Sequence, residues 1–218
     1  LDTLNVHALA FKLSHPSTIP LQLVVKTNFG CADTSKKTVF VYPNPKADFS
    51  FKNVCLTDSL KALDASKILS GNIQQYQWQS SDGYNSNSKD FKHLYLTADT
   101  HTLQLIVKSS HNCFDTIQKS VQVYAKPKAL FSVNTACLGD SIFTNNTSSI
   151  TADSIVYSRW QVNSDTSYTW NKHYLFNQDT LYNIQLKVAT AFGCSDSIIQ
   201  TTEVYTLPNA NFTLPNVC

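Results

Sequence analysis

The chain has 218 residues, of which 42% are hydrophobic and 15% charged, with a formal net charge of +2. That apolar share suits a folded domain, yet no apolar run approaches the ~18–20 residues of a membrane span, so direct membrane insertion is not expected. A charge this small, from lysines and arginines scattered rather than striped, argues against nucleic acid as a partner.

Along the chain the same landmarks return. Cys31, Cys113 and Cys194 are 82 and 81 residues apart, and Cys55, Cys137 and Cys218 repeat those intervals. Trp78 and Trp160 keep the step, as do Phe49, Phe131 and Phe212, and Val41-Tyr42, Val123-Tyr124 and Val204-Tyr205. A period near 80 means tandem copies of one small domain. Residues 1–45 read as the second half of a copy, 46–127 and 128–208 as two complete copies, and 209–218 as the start of another. Half a domain cannot close its own core. The expected polypeptide is therefore longer, or the ends are completed by identical subunits through strand donation. Tandem repetition suits a job that an array performs and argues against a single-pocket enzyme.

Within the copy at 128–208, residues 130–133 alternate apolar and polar, and a short turn then holds Cys137. Strands are predicted at 141–144, closed by Asn145-Asn146, and at 155–162 around Trp160. A polar stretch at 163–171 reads as a loop. A strand is predicted from His173 to Phe176, and the alternation at 182–188 is that of a strand with one buried face. Phe192-Gly193-Cys194 reads as a turn, 198–205 as the last strand, and Pro208 punctuates the chain as Pro127 does before it. About seven short strands per copy, with no helical periodicity over ten residues, predict an all-β fold: tandem immunoglobulin-like β-sandwiches of about 80 residues, arranged end to end. Short proline-containing linkers would make that array stiff.

Particular residues carry a family resemblance. Tyr76-Gln77-Trp78 precedes Ser81-Asp82-Gly83, His93-Leu94-Tyr95 follows, and Leu103-Gln104-Leu105-Ile106-Val107 alternates. This pattern resembles the PKD (polycystic kidney disease) domain, whose central strand reads roughly Tyr-x-Trp-x-Phe-Gly-Asp-Gly, followed by His-x-Tyr and an alternating strand. The copy at 128–208 keeps Trp160, His173 and the alternating strand but has Asn163-Ser164-Asp165-Thr166 at the turn; only His7 of the His-x-Tyr motif remains in 1–45. The Gly-Cys-x-Asp-Ser/Thr turns at Gly30 and Gly193, and Asn112-Cys113-Phe114-Asp115-Thr116, look like repeats of very large secreted surface proteins of Bacteroidota. The resemblance implies adhesion, gliding or extracellular fibres, export by type IX secretion, and an extracellular or cell-surface location.

Six cysteines without a C-x-x-C pair read as disulfides rather than zinc ligands, which places the chain in an oxidising compartment. Two pairings respect the repeat. Within copies, Cys55 joins Cys113 and Cys137 joins Cys194. In an immunoglobulin-like sandwich, however, those loops lie at opposite ends, roughly 20 Å apart, whereas a disulfide spans about 4.4–6.8 Å between Cα atoms. The preferred pairing is therefore Cys55 with Cys194 across the junction of two copies, leaving Cys31, Cys113, Cys137 and Cys218 to pair beyond 1–218.

Ten of the 14 aspartates precede Ser or Thr, where chance gives about three. Seven of these pairs continue with an aliphatic residue, with hydroxyls at Thr3, Ser59, Thr116, Ser141, Ser154, Thr180 and Ser197. The tripeptide resembles the O-glycosylation motif of extracytoplasmic Bacteroidota proteins. Strand-start chemistry offers a second explanation: Asp bonds nearby backbone N–H groups, the hydroxyl points outward and the aliphatic begins the buried face. Asn145, Asn146 and Asn211 also fit Asn-x-Ser/Thr and are discounted.

Trp78, Trp160, His93 and His173 are expected core markers, each histidine packing beside tryptophan. No metal or other cofactor is expected: calcium at Asp82 would need an acidic cluster that is missing. No catalytic constellation repeats with the copies, so the chain does not read as an enzyme. Tyr168 and Trp170 form an aromatic pair that could stack on a sugar. Two functions compete. The first is a stiff, disulfide-stabilised, O-glycosylated stalk segment of a long secreted adhesin or extracellular filament, its partners being neighbouring repeats, identical subunits and surface glycans. The alternative is an accessory binding module of a secreted polysaccharide- or protein-degrading enzyme.

Overall fold

The computed structural model describes Leu13 and residues 15–214; Thr3, His7 and Cys218 lie outside the described residues. The regular structure described is all β-strand, as the alternating patterns require, and no helix is long and apolar enough to cross a membrane. In chain order the strands are β1 (Ser17–Lys26), β2 (Ala32–Val41), β3 (Phe49–Phe51), β4 (Val54–Cys55), β5 (Ser59–Asp64), β6 (Ile73–Ser80), β7 (Asn85–Ser86), β8 (Phe91–Leu94), β9 (Thr100–Ser109) and β10 (Phe114–Tyr124). They continue as β11 (Phe131–Val133), β12 (Ala136–Cys137), β13 (Ser141–Asn146), β14 (Ile155–Val162), β15 (Asp165–Ser167), β16 (Lys172–Leu175), β17 (Leu181–Thr190) and β18 (Ser195–Tyr205).

Strands β3 to β10 make a three-stranded sheet, β3-β5-β8, and a five-stranded sheet, β4-β10-β9-β6-β7. Strands β11 to β18 repeat both orders as β11-β13-β16 and β12-β18-β17-β14-β15. These are immunoglobulin-like sandwich topologies. β1 and β2 form an antiparallel hairpin from Ser17↔Val41 to Lys26↔Ala32. By contact density the chain has two compact units. One holds the described part of Leu1–Lys52 with Leu60–His93 and His101–Val121; the other holds Asn53–Ser59, Leu94–Thr100 and the described part of Gln122–Cys218.

The period of two explains the cores. In β9, Leu103, Leu105 and Val107 are fully buried, and in β17 Ile184, Leu186 and Val188 are, while the residues between them face outward. Trp78 and Trp160 are each 0% exposed. Phe49 meets Trp78 edge-on at 5.0 Å and Phe131 meets Trp160 in the same way at 5.0 Å. A buried indole N–H needs an acceptor. Trp78 Nε1 donates to the Ser88 carbonyl at 2.9 Å and Trp160 Nε1 to that of Thr169 at 3.0 Å. Both central strands carry an irregularity at equivalent points, between Ile73 and Gln75 and between Ile155 and Tyr157.

Two expectations are corrected. The stretch 163–171 is not all loop: β15 pairs with β14, with Trp160↔Ser167 and Val162↔Asp165 in register. Cross-strand pairing recruits Asp165-Thr166-Ser167 although it has no apolar alternation to announce itself. His173 is exposed, its ring tilted 45° against that of Phe143 at 4.6 Å, so it is no core marker. It stands 80 residues after His93 where the local step is 81, and a one-residue offset in a strand turns a side chain to the other face. Tyr174 holds the inward position instead. His93 lies half-buried against Tyr84, with rings 4.2 Å apart.

Candidate functional site

Cys55 and Cys194 are joined by a disulfide between residues 139 apart in sequence, with Cα atoms 5.6 Å apart. Cys31, Cys113 and Cys137 are free thiols, so neither bond internal to a copy, Cys55–Cys113 or Cys137–Cys194, is formed.

Local structure presents both sulfurs. Cys55 ends β4, which pairs in parallel with the end of β10 through Val123↔Val54 and Tyr124↔Cys55. Leu56 N–H donates to the Tyr124 carbonyl at 2.7 Å, and Gln122 N–H donates to Asn53 Oδ1 at 3.0 Å. Asp58 N–H closes the loop on the Cys55 carbonyl at 2.9 Å. Cys194 sits in the turn between β17 and β18, where Thr190 N–H donates to its carbonyl at 2.9 Å. Gly193 takes φ 85° there, the left-handed region that a Cβ disfavours. Tyr124 stacks on Phe192 at 4.1 Å with the rings 9° from parallel, two residues before Cys194. These residues all belong to the second compact unit.

The parts recur. β12 pairs with the end of β18 through Cys137↔Tyr205, as Cys55 does with Tyr124. Cys31 and Cys113 close turns of the same kind, accepting from Thr27 N–H at 2.9 Å and Ser109 N–H at 2.8 Å. Tyr42 stacks on His111 at 3.6 Å, as Tyr124 does on Phe192. The recurring Val-Tyr dipeptides were visible in the sequence, but their ring partners Phe192 and His111 were not, because the partner changes from Phe to His.

A groove of about 430 Å³ beside the stack is lined by Ala98, Gln122, Tyr124, Ala152, Asp153 and Phe192. Asp153 Oδ1 accepts Ser154 N–H at 2.7 Å, while Oδ2 is buried without a partner.

Ser59, Thr116, Ser141, Ser154, Thr180 and Ser197 are all exposed. Ser59 and Ser141 begin β5 and β13, and Leu60 and Ile142 after them are 0% exposed. Asp115 and Asp196, by contrast, point inward to backbone: Asp115 Oδ2 accepts Ala47 N–H at 2.8 Å and Asp196 Oδ2 accepts Ala129 N–H at 2.8 Å. Asn146 is buried.

Asp82 meets His93 Nε2 at 2.5 Å. Burial alone would raise the Asp82 carboxyl, but hydrogen bonds from His93, Ser80 and the Tyr84 N–H outweigh it and hold the group below its ordinary value. Among the described residues, no cluster of three or more His, Cys, Asp or Glu is placed to hold a metal ion. Tyr157, Tyr168 and Trp170 are exposed, with the two tyrosine rings 5.9 Å apart.

Paired sheets packed around a central tryptophan define an immunoglobulin-like module, and a disulfide in it is of the kind found outside the cytosol. Residues 42–125 match the family model of the PKD domain, and the chain belongs to that family. The chain is 30% identical to the PKD1 domain from Vibrio cholerae metalloprotease PrtV, over 37% of this chain and 99% of that one, with a TM-score of 0.35. It is 26% identical to the PKD1 domain of Vibrio anguillarum Epp, over 37% of this chain and 94% of that one, with a TM-score of 0.35. A structure concerned with host cell surface retention of a 1.5-MDa bacterial ice-binding adhesin matches at 10% identity, over 87% of this chain and 74% of that one, with a TM-score of 0.36. No curated protein matches the chain.

Proposed function

We propose that this chain is a stalk segment of a long secreted cell-surface adhesin or extracellular filament, built from PKD-type repeats at 46–127 and 128–208 with parts of further repeats at 1–45 and 209–218. The observation that carries the reading is the disulfide between Cys55 and Cys194, which ties the first loop of one repeat to the last loop of the next. A bond across copies does little for a self-contained binding domain and much for a stiff array. The exposed hydroxyls of Ser59, Thr116, Ser141, Ser154, Thr180 and Ser197 carry O-glycans in this reading, which would protect strand ends from proteases.

One observation supports the accessory-module reading: the exposed cluster of Tyr157, Tyr168 and Trp170 resembles a sugar-stacking platform. Its counterpart one period earlier is Ser86-Asn87-Ser88, so the platform does not recur as an array of binding modules would require.

Peptide mapping of native material without reduction, with glycopeptides retained, tests the proposal. A peptide linking Cys55 to Cys194, with hexose on the Asp-Ser/Thr peptides, is the expected result. Bare hydroxyls together with Cys55–Cys113 and Cys137–Cys194 peptides would replace the stalk by independent beads.

A further inference from the structure

We propose that the Cys55–Cys194 bond is a tension bypass: a pull along the chain crosses it and leaves the chain between the two cysteines out of the load path. The argument rests on covalent connectivity. Tension reaching Cys55 from the N-terminal side has two routes onward. One runs through the 139-residue separation to Cys194; the other is a single sulfur–sulfur bond spanning 5.6 Å between Cα atoms. The short route is taut long before the long one. Everything from β5 to β17 lies inside the closed loop, including Trp78 and Trp160, while the core residues Phe49 of β3 and Val204 of β18 lie outside it.

What stays in the load path is small. On the N-terminal side it is β1 to β4, and on the C-terminal side β18 and the residues after it. Tension can peel β18 from β17, where the register runs from Leu181↔Glu203 to Ala189↔Ser195, and then stops at Cys194. Cys194 is 1% exposed, whereas Cys55 is half-buried, so a reductant approaches the bond from the Cys55 side.

The lengths follow from the reach of an extended chain, ~3.3–3.6 Å per residue. The closed loop hides about 480 Å of contour. A fully stretched oxidised chain reaches on the order of 270 Å, and a reduced one on the order of 750 Å, at the same spacing. Without the bond, resistance to pulling would depend on the unfolding rate of each sandwich. With it, overextension is limited by a covalent bond.

The inference shares the Cys55–Cys194 bond with the proposed function but not its glycans or surface location: bare hydroxyls would overturn only the proposed function, and full extension of a chain whose Cys55–Cys194 bond is mapped would overturn only the bypass. The test stretches single oxidised molecules of the full chain between handles at its two ends, then adds a phosphine reductant to the same tethers and stretches again. Before reduction, total extension should stop near 270 Å; afterwards a further stretch of about 480 Å should appear in unfolding steps. A Cys55→Ser chain should behave from the start like the reduced molecule. If that variant does not fold, the before-and-after comparison on the unmutated chain still decides. Full extension of the oxidised chain, or no gain on reduction, would overturn the proposal.

Discussion

Asp196 accepts the backbone N–H of Ala129 at 2.8 Å across 67 residues of sequence, and ties the start of β18 to the chain just before β11. Asp115 does the same for Ala47 one period earlier. At these two positions the aspartate of the Asp-Ser/Thr tripeptide has a folding role, whatever its hydroxyl neighbour carries. Replacing Asp196 by Ala leaves the Ala129 N–H without its acceptor, and a hydrogen bond to a charged group contributes ~1.5–3 kcal/mol. Asp196→Ala should therefore lower stability by about 2 kcal/mol in urea denaturation. Ser197→Ala, at an exposed hydroxyl, should stay within about 0.5 kcal/mol. Equal losses in both variants would contradict this division of labour.

The loops after β4 and β12 follow the same path with different residues. Thr57 has φ 80°, and Gly139, one period later, has φ 92°. A β-branched side chain in the left-handed region is strained, whereas glycine is at home there. No atom lies within 4 Å of where a Cβ on Gly139 would sit, so the difference between the two loops is a backbone effect rather than a clash. Thr57→Gly should raise stability by roughly 1 kcal/mol, after allowing for the extra freedom glycine gives the unfolded chain. Gly139→Thr should lower it by a similar or larger amount. Both are read from thermal or urea unfolding of the oxidised chain, with the disulfide intact so that the reference state is shared.

The period in Cys, Trp and Val-Tyr gave away the repeat, and period-two alternation gave away the long strands β9 and β17. Both signals come from side chains that must be buried. The short strands left no such trace. β4 and β12 are two residues each, and their parallel pairing to β10 and β18 depends on backbone groups that look alike in every residue. β15 is polar throughout and is held by its neighbour. His173 shows the reverse failure: a residue type recurring near the right phase misleads when the spacing is off by one, because in a strand one residue decides between core and solvent. At the candidate site the cysteines were legible, but the ring stack of Tyr124 on Phe192 was not, since stacking partners from different copies carry no shared motif.

Tyr174, which took the inward place expected of histidine, gives a pH-dependent test. Burial, with a smaller contribution from the Asp165 carboxylate, pushes its phenol from the ordinary 10.0 up to about 12. The folded chain therefore holds this proton more tightly than the unfolded chain does. Its contribution is complete below pH ~10 and is lost as the pH rises from there through about 12. The hydroxyl is also buried without a hydrogen-bond partner. Tyr174→Phe keeps the ring, its stack on Phe176 at 5.7 Å and its place under Lys172 Nζ, and removes only that orphan oxygen. Taking away an unsatisfied buried group is neutral or stabilising, so at pH 7 the variant should match the parent or exceed it by up to ~1 kcal/mol. At pH 11 the unfolded parent gains stability by losing the phenolic proton, and the unfolded variant has none to lose. The advantage of Tyr174→Phe should therefore grow with pH, approaching another ~1.4 kcal/mol per pH unit above the unfolded phenol's titration. Urea denaturation of both proteins at pH 7, 9 and 11 measures it, and the comparison cancels lysine deprotonation common to the pair. A variant less stable at pH 7, with a gap that does not change by pH 11, would mean that the Tyr174 hydroxyl is bonded in the folded chain and titrates like an exposed one.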